Sequence, residues 1–128
     1  AVRAGLLSAD ELARFTSLPV IHRDLVWTRV AIHLLREQRP NLLLFHLLGS
    51  DWLQHQHGPG SLSAQAALSL ADARLGELVR AIEDLGLAAR TTLFVVSDHG
   101  FRFTRRSIHA NAALADAGLL TVADGRIA

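Results

Sequence analysis

Four side chains in this sequence have the chemistry of divalent-metal ligands and a spacing that lets them act together. Asp51 and His55 are the ends of Asp51-Trp52-Leu53-Gln54-His55, and Asp98 and His99 are adjacent and precede Gly100. The three residues between Asp51 and His55 let a loop fold back so that a carboxylate and an imidazole approach one ion. Neighbours in an extended chain point to opposite faces, so Asp98 and His99 reach one ion only if the backbone turns there, which Gly100 permits. A mixed set of imidazole and carboxylate suits zinc or manganese better than calcium. The chain has no cysteine, which removes disulfides and thiolate ligands and leaves His, Asp and Glu as the donors. Taken singly, either motif reads as a cap or a turn more readily than as a metal site. Their joint occurrence, each after an apolar run and with a helical crossover between them, favours a site.

The elements expected to position these residues follow from pattern. Ser8 and Glu11 have the spacing of a capping box, which predicts a short helix to about Phe15, ahead of Pro19. From about Asp24 to Gln38, Leu25, Val26, Trp27, Val30, Ala31, Leu34 and Leu35 recur at helical spacing. After Pro40, Asn41–Leu48 is a nearly continuous apolar run of the kind buried strands show, and Gly49–Ser61 reads as a polar loop. A long helix is expected from a cap at Ser61 or Ser63 to Gly86, with Leu68, Ala71, Leu75, Leu78, Val79, Ile82 and Leu85 on one face. Thr91–Ser97, rich in β-branched residues, reads as a second strand. This order predicts an α/β domain with a parallel sheet, in which ligands bind beyond the carboxyl ends of strands. Two strands are too few for such a sheet, and the start Ala1-Val2-Arg3 carries no methionine, so residues 1–128 are read as one partial domain of a longer protein.

Composition narrows the function classes. Half the residues are apolar, enough for a single core in 128 residues, and no apolar run is long enough to span a membrane. The 13 basic residues are all arginine and scattered, and the net charge is +1, which argues against binding a nucleic-acid duplex.

The segment Asp51-Trp-Leu-Gln-His55-Gln-His-Gly-Pro59, a helix containing Ala71-Asp72-Ala-Arg-Leu-Gly76, and Phe94-Val-Val-Ser-Asp98-His99-Gly100-Phe101 together resemble the type I phosphodiesterase and nucleotide pyrophosphatase family, within the alkaline phosphatase superfamily. The match runs from about Asp24 to Leu120. The resemblance implies a three-layer parallel-sheet sandwich of the alkaline phosphatase type, present as a fragment. It also implies two divalent ions, zinc or alternatively manganese, with Asp51 and His55 on one and Asp98 and His99 on the other. The implied reaction is hydrolysis of a small-molecule phosphate ester, a phosphodiester or pyrophosphate, with the ions about 4 Å apart and a Thr or Ser hydroxyl as nucleophile. That hydroxyl and a further Asp ligand are expected before residue 1, and a last His ligand beyond Ala128, so residues 1–128 are expected to be inactive alone.

His109, the one histidine after the second motif, is the alternative for that last ligand; the favoured reading makes it the lead into a helix where Asn111 is more characteristic of the family. His57 either touches substrate or belongs to an exposed turn, the favoured reading. His22, His33 and His46 read as structural, Asp72 as an anchor of loop or helix packing, and Trp27 as packing. Trp52 packs or lines a substrate pocket. Two rival functions stand beside hydrolysis of phosphate esters: a sulfatase, phosphonate hydrolase or phosphomutase with the same paired-metal core, and a non-catalytic α/β remnant that binds a partner.

Overall fold

The computed structural model describes residues 2–123, 126 and 127. Their architecture is helical: α1 (Ala9–Ala13), α2 (Val20–Glu37), α3 (Gly49–His57), α4 (Leu62–Asp84) and α5 (Ala110–Asp116), with β1 (Val122–Ala123) and β2 (Arg126–Ile127) after them. Ser8 and Glu11 form the expected capping box, with Glu11 N donating to Ser8 Oγ at 3.0 Å and Ser8 N to the Glu11 carboxylate at 2.7 Å. Pro19 does not separate a break from a later helix; it is the residue that starts α2, so this helix begins a turn earlier than its apolar pattern suggests. A proline suits a helix start because it lacks an N–H that would be unsatisfied there anyway.

The long helix is capped by Ser61, whose Oγ accepts from Ala64 N at 3.2 Å. Its end is a Schellman motif. Gly86, at φ +67°, donates to Glu83 O at 2.9 Å and Leu87 N donates to Ile82 O at 3.0 Å. The helix buries Ala64, Ala67, Leu78 and Ala81 and packs against α2. They form two pairs three residues apart, Ala64 with Ala67 and Leu78 with Ala81, and three of the four are alanines, small side chains that let helix axes approach closely. Leu68, on the predicted apolar face, is exposed instead. The core is built by Ala31 and Leu35 of α2 with Leu78 of α4, and Leu43 and Phe45 pack against it. Helix α4 also packs along α3, so it holds the two shorter-range partners together.

The expected three-layer α/β sandwich with a parallel sheet is not what these residues form. Both segments read as strands run without ladder hydrogen bonds, and the only sheet among the described residues is the antiparallel pair Val122–Ile127 and Ala123–Arg126. The first segment alternates: Leu43 and Phe45 lie on the helices, whereas Leu44 is 84 % exposed. Along the second, Phe94 is 80 % and Val96 85 % exposed. An apolar β-branched run records a tendency to be buried in extended form, yet a strand exists only when a neighbour takes its N–H and C=O groups. Helices satisfy those groups internally, which is why the helical readings hold here and the strand readings do not.

Candidate metal centre

Residues 49–57, expected to be a loop, form α3. Asp51 and His55 therefore meet because residues four apart share a helix face, and not because a loop folds back. His55 Nε2 lies 3.5 Å from Asp51 Oδ1. Helix α3 ends at Gly58, at φ +83°, where an added Cβ would meet Phe103 Cε1 at 3.1 Å. That contact brings the chain after the second motif against the end of the first.

The second motif arrives as extended chain with a bend at Asp98. Gly100 stays outside the left-handed region, so the turn between the two side chains is made at Asp98 and does not use the glycine. His99 reaches back to α3, with Nε2 also 3.5 Å from Asp51 Oδ1. Its Nδ1 is 3.2 Å from the Gly100 carbonyl oxygen. A carbonyl can only accept, so the proton of a neutral His99 sits on Nδ1 and leaves the Nε2 lone pair facing Asp51. Phe101 stands edge-on to both imidazoles, at 4.8 Å from His55 and 5.1 Å from His99 between ring centroids. Contacts of this kind fix ring planes as well as adding burial.

One donor atom each from Asp51, His55 and His99 lies within 4.8 Å of the others. Ligands held about 2 Å from a tetrahedral ion are roughly 3.3 Å apart; the two separations from Asp51 are close to this at 3.5 Å, while the His55 and His99 rings stand wider, 6.2 Å apart between centroids. The donor set, two imidazoles and a carboxylate, fits a first-row divalent metal. Asp98 is adjacent but outside this trio: its side chain is 82 % exposed and Oδ2 is 3.8 Å from His99 Nε2. Among the described residues no second group of this kind occurs. His57 is the last residue of α3 and exposed, and His109 is exposed ahead of α5. Asp72 is exposed on α4, as is Trp52 on α3, and His46 is exposed in the first extended segment. His22 pairs with Glu11 at 3.2 Å, joining α1 to α2, and Trp27 meets Phe15 edge-on at 5.1 Å.

A model of the type I phosphodiesterase / nucleotide pyrophosphatase family matches residues 6–128. The chain belongs to this family. Within it, ectonucleotide pyrophosphatase/phosphodiesterase family member 1 of Mus musculus is 30 % identical over 103 residues, covering 79 % of this chain and 11 % of the relative. The protein of the same description from Rattus norvegicus is 31 % identical over 90 residues, 69 % of this chain and 10 % of the relative. The chain thus spans about a tenth of the length of these curated family members. No solved structure gives a significant match.

Sequence reasoning passed over one residue that the structure ties to the site. Asp24, 4 % exposed within α2, accepts from Leu48 N at 2.9 Å and from Gly49 N at 2.8 Å. A signal was present: α2 buries Val20, Asp24, Thr28, Ala31 and Leu35 along one stripe, and a carboxylate on a buried stripe demands partners.

Proposed function

We propose that this chain carries metal ligands of a metal-dependent hydrolase of small phosphate esters, acting on a phosphodiester or pyrophosphate bond. What supports the reading is the meeting of Asp51, His55 and His99, side chains drawn from both motifs, within 4.8 Å in a member of this family. Asp51 and His55 are assigned to one divalent ion and Asp98 and His99 to the other, with zinc preferred and manganese the alternative. Bound there, such cations supply positive charge for the phosphoryl oxygens and for an ionising hydroxyl.

The chain's own residues do the positioning. Asp51 offers a carboxylate oxygen 3.5 Å from both imidazoles, so it lies between the two ligand pairs. The Gly100 carbonyl fixes the His99 tautomer with Nε2 as the donor atom. Phe101 stands edge-on to both rings, a contact that favours one orientation of their planes. None of these groups is assigned a proton-transfer role, and the attacking hydroxyl is assigned to a residue outside 1–128.

The test follows zinc uptake by competition against a chromophoric chelator, and hydrolysis of bis(p-nitrophenyl) phosphate by the protein that carries this chain together with the segment holding the hydroxyl. Wild type should bind zinc, and hydrolysis should stop on chelation and return with added metal. His55→Gln and His99→Gln should each cost more than the roughly 10–100-fold in metal affinity that outer-shell changes cost. Absence of zinc and manganese uptake by wild type would remove the reading. Turnover of p-nitrophenyl sulfate in preference to the diester would transfer it to a sulfatase.

A further inference from the structure

The Asp24 contact has a chemical purpose once the metal reading is granted. We infer that Asp24 is a positioning residue for the metal ligands, a carboxylate on α2 that clamps the first turn of α3 and so sets where Asp51 and His55 stand relative to His99. The inference rests on the proposed metal site and names a residue outside its ligand set.

Helix α3 begins without a cap of its own. Its N-cap residue is Leu48, and no local side chain bonds to the first turn. The first amides of a helix need acceptors, and they attract negative charge. Asp24 meets both needs from another helix, placing one carboxylate oxygen on Leu48 N–H and the other on Gly49 N–H. A bidentate, charge-assisted contact fixes direction as well as distance. The fit is close: a Cβ at Gly49 would stand 2.7 Å from Asp24 Oδ2 and 2.7 Å from Ile21 Cδ1. Glycine is what lets α3 seat on the clamp.

Asp51 follows Gly49 by two residues and His55 lies one turn further on, whereas His99 comes from a separate extended segment. A tilt or slide of the first turn of α3 therefore moves two ligands and leaves the third in place. Asp24 itself does not contribute a donor atom to the cluster. Thr28, on the same buried stripe, bonds only back to the Asp24 carbonyl at 2.7 Å and has no contact with α3 among its hydrogen bonds.

The experiment compares wild type with Asp24→Asn, Gly49→Ala and Thr28→Val. The readouts are thermal unfolding without metal, zinc affinity by chelator competition, and the visible absorption of bound Co2+, which reports ligand geometry. An amide at position 24 offers one oxygen where two N–H groups point, and a methyl at position 49 strains the same contact from the other side. Asp24→Asn and Gly49→Ala should each lower zinc affinity roughly 10–100-fold and alter the Co2+ spectrum. Combined, they should lose less than the sum, because both act on one contact. Thr28→Val should lower the melting temperature without changing zinc affinity or the spectrum. If Thr28→Val weakens zinc as much as Asp24→Asn does, or if Asp24→Asn leaves affinity and spectrum unchanged, the positioning role is overturned while the metal site stands. If wild type takes up no metal, the site falls and this role with it.

Discussion

At the scale of single residues, the two motifs contribute unequally. Asp51 is the hub, with one oxygen 3.5 Å from each imidazole, while Asp98 is largely exposed and its Oδ2 stands 3.8 Å from His99 Nε2. Asp51→Asn should therefore lower zinc affinity more than Asp98→Asn does, by roughly tenfold or more given what loss of a charged partner costs. Chelator competition on the two variants measures this directly; equal losses would place Asp98 as a ligand of the same rank. The residue types and their order along the chain marked Asp51, His55, Asp98 and His99 as candidates, of which Asp51, His55 and His99 come together. Asp24 was not legible as a partner of α3, because its significance depends on two backbone amides far along the chain.

At the scale of elements, local hydrogen bonding explains which readings carried over. The capping box at Ser8 and Glu11 involves four consecutive residues and was visible as a pattern. It also has a pH signature. The Ser8 backbone N–H, then the Ser8 hydroxyl, then His22 hold the exposed Glu11 carboxyl below its ordinary value of 4.5. A depressed folded-state pKa means that the contribution of this group is complete above the ordinary value and is lost as pH falls through the lowered one. An NMR titration of the Glu11 side chain should give a midpoint below the ordinary value, and Ser8→Ala should return it toward that value. An unshifted midpoint in wild type would remove the capping box from solution. The expected loop at 49–61 holds at 58–61 and fails over 49–57 for a related reason: α3 has no cap in its own sequence, since its cap is supplied by α2.

At the scale of the whole molecule, the helices α2, α3 and α4 form one packed body, and the extended segment 91–97 leaves its apolar side chains open. Phe94 and Val96 are 80 % and 85 % exposed, so nothing in this arrangement covers them. Phe94→Ser and Val96→Ser should accordingly change stability by no more than about 0.5 kcal/mol, as for ordinary surface positions. Chemical denaturation measures it. A loss near the roughly 3 kcal/mol of a buried aromatic truncation would mean that these side chains are covered in solution. No helix among the described residues is long and apolar enough to cross a membrane.

The sequence by itself determined the helices whose caps and stops are local, the family, and the four candidate ligands with their types. These rest on neighbours within a turn or on motif order, both of which are one-dimensional. Tertiary structure decided the rest: that the apolar runs at 42–48 and 93–96 find no ladder partner, that Asp51 and His55 share a helix face, and that His99 closes on them. The physical reason is common to all three. A strand, a trans-supplied cap and a ligand cluster each require groups distant in sequence to satisfy one another, and an apolar run or a lone carboxylate states the need without naming the partner.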